Sequence, residues 1–222
     1  MQYELSPAVV EQLARLLSSL STAEWAPTTV TAPEAAVDVH VADSLSGLVF
    51  PALRQATLVA DLGSGAGFPA LVLAIALPDA RVTAVESARR KCDFIMEMAR
   101  ATGIGNLDVV CARAEAWLGG HGTNDVVCAR AVAPLGVLLE YAAPLLREGG
   151  ALVAWKGGMA TEELDAARAA AEILGFAVPE IQGLQPFPAA ERRHLVTALK
   201  TGPTPGRFPR RTGVALKRPL GV

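Results

Sequence analysis

Histidine and cysteine are scarce, three of each in 222 residues. His40, His121 and His194 stand far apart, without the short spacings that gather ligands around an ion, so no metal site is expected. An odd number of cysteines argues against a disulfide framework. Cys111 and Cys128 fall in apolar, strand-like runs and read as buried free thiols. Long apolar runs are missing too: hydrophobic residues make up 51% of the chain and charged ones 19%, too apolar for disorder. Yet no stretch approaches the roughly 18 apolar residues of a membrane span. Met1-Gln2-Tyr3-Glu4-Leu5-Ser6-Pro7 has neither the basic nor the apolar region of a secretory signal. These absences predict a cytoplasmic protein without a membrane partner. The length suffices for one sizeable domain plus an accessory piece, so no second copy is needed to complete a core and a monomer is expected.

Charge is present but unevenly placed. From Ala190 to Val222 eight Lys or Arg face one acid, Glu191, a local +7 that leaves the rest of a −2 chain at −9. A basic end on an acidic body suits a polyanionic partner that touches one side only.

The chain is organised around Val59-Ala60-Asp61-Leu62-Gly63-Ser64-Gly65-Ala66-Gly67-Phe68-Pro69, where an apolar run meets a helix through three glycines. Glycine permits φ > 0 and lets a ligand approach bare backbone, and Pro69 suits a first helical turn. Before it, leucines at 13, 16, 17 and 20 give one face of an amphipathic helix over 6–20, and Thr31-Ala32-Pro33-Glu34 opens a second helical stretch through Leu45. From Thr57 short apolar runs alternate with helical periods, the pattern of a parallel sheet with crossover helices. Strands are expected near 57–61, 81–86, 107–111, 124–129, 149–155, 176–183 and 194–200. Helices are expected near 69–77, 88–102, 113–118, 134–146 and 160–174. The organisation expected is an N-terminal helical cap over 1–54, an α/β domain over 55–200 and an extended, basic, Pro-rich C-terminal tail over 201–222.

The loop lacks the last glycine of a Gly-x-Gly-x-x-Gly dinucleotide fingerprint, because Phe68 stands there. What remains, Asp-x-Gly-x-Gly-x-Gly, resembles motif I of the S-adenosylmethionine-dependent methyltransferases. In such a loop Asp61 and the backbone of Gly63, Ser64 and Gly65 hold the amino-acid end of the cofactor, whose ammonium favours an acid. Glu86 ends the next apolar run, where an acid accepts from ribose hydroxyls. A tight turn alone would explain the glycines but not the register of Glu86. After the third strand come Ala114 and Glu115. Glu115 on residue type alone is a solvated helix-start acid, but its position in the fold brings it to the adenine edge.

The fourth strand ends in Cys128-Ala129-Arg130-Ala131-Val132-Ala133-Pro134. It lacks the Asn/Asp-Pro-Pro-aromatic motif of adenine-N6 enzymes, and Cys128 lacks the adjoining proline of cytosine-C5 nucleophiles. No general base stands out, as an amine or hydroxyl acceptor would want. Guanine N7 carries a free lone pair and needs only alignment and a close, dry approach. Arg130 is either a solvated arginine or one that orients a carboxylate or phosphate by paired hydrogen bonds. It and Lys156 are the side chains nearest the expected methyl group, and no catalytic residue is assigned.

Several segments together resemble the bacterial small-subunit ribosomal RNA guanine-N7 methyltransferases, the RsmG family, also called glucose-inhibited division protein B. They are His40-x-x-Asp43-Ser44, Asp61 to Pro69, Arg113-Ala-Glu115, Ala129 to Pro134, Trp155-Lys156-Gly157, Arg193-His194-Leu-Val196 and Pro209-Arg210-Arg211-x-Gly213. The resemblance implies a Rossmann-like class I methyltransferase fold, with a seven-stranded, mostly parallel sheet and an N-terminal helical cap. It implies methyl transfer from S-adenosylmethionine to N7 of the guanine at position 527 of 16S ribosomal RNA, with naked RNA or a small-subunit precursor as partner. Cofactor contacts are implied at Gly63, Phe68, Glu86, Ser87, Ala88, Ala114, Glu115 and Arg130. RNA contacts are expected at Lys156, Arg193, His194, Arg207, Arg210 and Arg211, with Arg89, Arg90, Lys91 and Arg192 adding positive charge. Such groups supply salt-sensitive affinity for phosphates. His40 and His194 also read as satisfied structural histidines. Competing readings are a methyltransferase of another RNA site or of a small molecule, a dehydrogenase with a divergent loop, and a non-catalytic RNA-binding protein with a relic pocket.

Overall fold

The computed structural model describes residues 5–222, so the start read above from Met1 to Pro7 lies partly outside the described residues. Helix α1 (Pro7–Thr22) begins with Pro7 in its first turn and with the Ser6 hydroxyl accepting from Val9 N at 3.4 Å. It buries Leu13, Leu16, Leu17 and Leu20, each worth about 1.5–3 kcal/mol when fully removed from water. Helix α2 (Pro33–Ala36) runs on through a π-helical stretch, Val37–Ala42, into α3 (Asp43–Leu45), a 3₁₀ turn at Ser46–Val49 and α4 (Pro51–Arg54). Wide π turns recur at functional sites. This one carries His40.

The rest alternates as expected: β1 (Leu58–Leu62), α5 (Ala70–Ala76), β2 (Arg81–Glu86), α6 (Arg89–Thr102), β3 (Leu107–Cys111), β4 (Asn124–Arg130), α7 (Leu135–Ala142), β5 (Leu146–Lys156), α8 (Thr161–Leu174), β6 (Glu180–Leu184), β7 (Arg193–Leu199) and a short α9 (Val214–Lys217). The seven strands form one sheet in the order β3-β2-β1-β4-β5-β7-β6. Pairing is parallel from β3 across to β5 and antiparallel for β5–β7 and β7–β6. The order reverses between β1 and β4, and in open α/β sheets the carboxyl edge there is where ligands bind. In register, Asp61 of β1 lies between Ala84 and Cys128.

Each face has its own core. Leu16 and Leu20 of α1 join Leu71 and Leu73 of α5, Ile95 of α6 and Val59, Val82 and Val126 of the sheet. Opposite, Leu138 and Leu139 of α7 and Ala170 and Leu174 of α8 cover Val127 and Leu152, together with Phe208 and Ala215. Among the described residues no helix is long and apolar enough to cross a membrane.

Several expectations are corrected. The segment after residue 200 is irregular but not extended. Phe208 and Ala215 are buried, the Thr204 hydroxyl donates to Ala143 O at 2.8 Å, and a side chain at Gly221 would meet Ala166 O at 2.5 Å. Its apolar residues supply a face that α7 and α8 leave open, which proline content concealed. Cys111 is exposed because it ends the edge strand β3; the buried pair is Cys92 and Cys128. The strand expected over 176–183 starts at Glu180, since Pro179 has no N–H to pair. Helix α7 stops at Ala142, short of Pro144. Where a helix is expected over 113–118, two 3₁₀ turns, Ala114–Ala116 and Leu118–Gly120, stand instead. Gly120 lies against the Trp117 ring, which a Cβ there would meet at 2.6 Å, so the chain turns closely around that ring.

Candidate cofactor and acceptor site

The glycine loop leaves β1 with φ of +65° at Gly63 and +90° at Gly67, conformations that disfavour any side chain. Space forbids one as well: a Cβ would lie 2.8 Å from Val132 Cγ2 at Gly63 and 2.4 Å from Leu71 Cδ1 at Gly67. Gly63 N donates to Val85 O at 2.8 Å, and the buried Ser64 hydroxyl donates to Asp61 O at 2.9 Å. Ser64 therefore spends its side chain inside the loop, and the faces open to a ligand are Gly63 and Gly65.

Glu86, buried at the end of β2, fastens this loop. Its Oε2 accepts from Gly65 N at 3.0 Å and its Oε1 from Ala88 N at 2.8 Å, with the Ser87 hydroxyl at 3.5 Å. Each carboxylate oxygen has a second lone pair for a hydroxyl donor. Replacing Glu86 by Ala should weaken S-adenosylmethionine binding at least tenfold and lower stability by about 1–3 kcal/mol, because Gly65 and Ala88 N–H groups lose their acceptor. Calorimetry and thermal unfolding read the two effects separately; unchanged affinity would reject a ribose role.

Asp61 is 0% exposed. Its Oδ2 accepts from Ala70 N at 3.3 Å, while Oδ1 has no partner. Burial pushes its carboxyl up to about 7, against the opposing pull of nearby donors and the Arg130 charge. A buried acceptor without a donor beside bare glycine backbone fits a ligand ammonium group. Cys128, its strand neighbour, is held well above the usual thiol range by burial and is no nucleophile.

Two cavities open on the carboxyl edge. One of about 100 Å³ is lined by Gly63, Val85, Ser87, Ala114, Glu115, Val132, Tyr141 and Leu216. The other, about 300 Å³, is walled by Val39, Asp43 and Ser46 of the N-terminal helices, Trp155 and Leu184, and carries Arg130, Lys156, Arg193 and His194. Between them sits Ala131, at a strained φ of +55°, sending Arg130 to the larger cavity and Val132 to the smaller.

The larger cavity is built by contacts over long sequence distances. Arg130 Nη1 donates to Asp43 Oδ2 at 2.9 Å and to Val39 O at 3.0 Å, and Arg193 Nε lies 3.6 Å from Asp43 Oδ1. Trp155 Nε1 donates to Asp43 O at 2.8 Å and Ser46 Oγ at 3.0 Å, its ring so close to Gly47 that a Cβ there would sit 2.2 Å away. Lys156 Nζ is 2.7 Å from Glu163 Oε1 and 3.2 Å from Ala133 O; His194 Nδ1 is 3.0 Å from Gly157 O. Phe68, buried under the loop, stacks on the His40 ring at 4.2 Å and 4°. His40 Nε2 lies 2.9 Å from Val30 O, and burial lowers its pKa, so this histidine joins cap to loop in its neutral form.

Of the sequence-expected cofactor residues, Asp61, Gly63, Gly65, Glu86, Ser87, Ala88, Ala114 and Glu115 gather at the loop and smaller cavity, with Phe68 and Ser64 serving the loop's framework, whereas Arg130 stands in the larger cavity on Asp43 and Val39. The RNA set divides. Lys156, Arg193 and His194 gather at the larger cavity, whereas Arg207 and Arg211 are exposed on the C-terminal segment. Arg210 is withdrawn from solvent: it binds both oxygens of buried Glu140 and Arg218 O. A guanidinium so committed differs from the exposed Arg207 and Arg211, which stand open to a phosphate. Arg89 pairs with Asp93 and Arg90 lies 3.9 Å over Trp25. Residues that sequence reasoning missed are Glu163, Tyr141 and Leu216, which carry no motif, while Val132 stood within the Ala129 to Pro134 segment without a role of its own. Asp43 had one signal, its i+3 spacing from His40 on a helical face.

A mostly parallel seven-stranded sheet with an antiparallel edge, a glycine loop after β1 and an acid closing β2 define a Rossmann-like class I S-adenosylmethionine-dependent methyltransferase. A solved S-adenosylmethionine-dependent O-methyltransferase from Thermotoga maritima shares the fold, with a TM-score of 0.62 and 15% identity over 84% of this chain and 71% of that one. The family model described as rRNA small subunit methyltransferase G matches residues 10–196, and the chain belongs to that family. Two relatives named ribosomal RNA small subunit methyltransferase G are 44% identical in Rubrobacter xylanophilus (96% of this chain, 83% of that protein) and 42% identical in Deinococcus radiodurans (95% and 85%). The cofactor is S-adenosylmethionine.

Proposed function

We propose that this chain transfers the methyl group of S-adenosylmethionine to N7 of the guanine at position 527 of 16S ribosomal RNA, working as a cytoplasmic monomer with no membrane partner. The observation that carries the reading is the 300 Å³ cavity beside the glycine loop, walled by Trp155 and fringed by Arg130, Lys156, Arg193 and His194. It suits a flat base with a phosphate at its edge. When bound, the cofactor supplies an electrophilic methyl on a sulfonium. The chain's residues then bind and align: Asp61 Oδ1 takes the ammonium, the bare backbone of Gly63 and Gly65 lets the amino-acid end approach, Glu86 accepts from the ribose, and Ala114 and Glu115 meet the adenine edge.

Arg130 and Arg193, steadied by Asp43, face the acceptor. Lys156 is paired with Glu163 and Asp43 with Arg130, so neither is free as a base at the cavity, whereas His194 engages only Nδ1, with Gly157 O. An acceptor nitrogen that attacks with its own lone pair has no proton to lose and needs none of them. In this reading residues 1–54 act as a cap walling the acceptor cavity, 55–200 carry the catalytic sheet, and 201–222 complete its other face.

Incubation with labelled S-adenosylmethionine and either naked 16S RNA or 30S subunits lacking the modification, followed by mapping of N7-methylguanine, should give label at position 527 alone. Label at another base, or on a small molecule instead, overturns the assignment.

A further inference from the structure

Building on the cofactor reading above, we propose that residues 210–218 are a strap that closes the adenosyl pocket, with Leu216 the side chain that covers the adenine ring. Leu216 is the one wall of the 100 Å³ cavity supplied by the C-terminal segment. It is 50% exposed, whereas Ala215 beside it is buried in the α7–α8 face. A leucine half in water at the mouth of a cavity gains burial only when something apolar and flat enters.

The strap is fastened on both sides of that leucine. Gly213 N donates to Glu115 Oε1 at 2.9 Å. That bond uses one oxygen of Glu115, orients the carboxylate, and leaves the other oxygen for an exocyclic amine. Upstream, Arg210 grips Glu140, which directly precedes the cavity residue Tyr141, and also donates to Arg218 O at 2.9 Å. Downstream, Gly221 touches the α8 backbone so closely that no side chain fits. The ends are held, and the part between them carries only the four-residue α9.

The cavity is small for an adenosyl group, since ligand pockets run to about 300–1,000 Å³. Val132, Leu216 and the exposed Arg113 are walls able to shift by rotamer change, and of these Leu216 is the apolar one free of β-branching. The geometry therefore assigns closure of the adenine end to the C-terminal segment and not to the RNA face alone.

The test measures S-adenosylhomocysteine binding by calorimetry in the full-length protein, Leu216→Ala and Leu216→Asp, with hydrogen exchange of residues 210–218 followed in parallel. Leu216 is half exposed, so both variants should melt near the parent. Expected are affinity losses of about tenfold for Leu216→Ala, larger for Leu216→Asp, and slower exchange at Val214–Lys217 when ligand binds. Parent-like affinity in Leu216→Asp, or exchange unaltered by ligand, overturns the strap. Failure of the unaltered protein to bind would instead remove the cofactor reading on which it rests.

Discussion

Asp61→Asn is expected to raise the melting temperature of the ligand-free protein at pH 8 while weakening S-adenosylmethionine binding at least tenfold. The carboxyl is fully buried, lacks a partner on Oδ1, and has its pKa raised from 3.8 to about 7. A pKa raised on folding means that the native state holds the proton more tightly than the unfolded chain. The group's contribution to stability is therefore fully present below about pH 4 and is lost as pH rises to about 7. Holding that proton so much more tightly than the unfolded chain does is worth at most about 4 kcal/mol, all of it gone above pH 7. An uncharged amide escapes that loss and keeps an oxygen for Ala70 N. Binding runs the other way, because an ammonium ligand wants the carboxylate. Affinity of the parent should fall about tenfold for each pH unit below 7, and the asparagine variant should show a flat profile. Calorimetry and melting curves from about pH 5.5 to 8.5 separate the two, since that range spans the titration. A variant that melts lower than the parent at pH 8, or that keeps the parent's pH slope, would remove Asp61 from the ammonium.

The second large effect concerns Arg210. Its partner Glu140 has a side chain only 3% exposed, and the bonds from two guanidinium nitrogens, Nε and Nη2, raise the pKa of Arg210 further, keeping it charged. Arg210→Ala leaves a buried carboxylate uncompensated, which costs about 3–5 kcal/mol. Arg210→Ala/Glu140→Gln should recover most of that, since the charge left behind is gone. Arg211→Ala, on an exposed neighbour, should leave melting unchanged and reduce the salt dependence of RNA binding by about one phosphate contact. Denaturant titration checks the first pair and salt-dependent RNA binding the second. Equal stability of Arg210→Ala and the parent would return Arg210 to the RNA face.

These two residues mark what sequence could and could not convey. The place of Asp61 was legible because it is local: the acid, the glycines and the strand lie within a dozen residues, and Glu86 arrives at the end of the adjacent strand by the register of a parallel sheet. Alternation of strand and helix likewise pointed to the sheet and its mostly parallel pairing. The setting of Arg210 was not legible because a basic, proline-rich run looks the same whether it floats or folds back. What decides is Glu140, 70 residues away, with Phe208 and Ala215 filling a gap between α7 and α8. The larger cavity was hidden for the same reason. Asp43, Arg130, Trp155 and Arg193 come from four separate elements, and only tertiary packing shows that one carboxylate serves two arginines.

The bond from Trp155 to Asp43, spanning 112 positions, also sets a schedule for a chain being made. At about 5–20 residues per second, the N-terminal helices leave the ribosome roughly 6 to 22 s before the tryptophan that braces them. The glycine loop and Glu86 meet much earlier. A nascent chain would thus hold the glycine-loop end of the donor cradle before β5 and β7 wall the larger cavity, while Leu216 reaches the adenosyl end last of all.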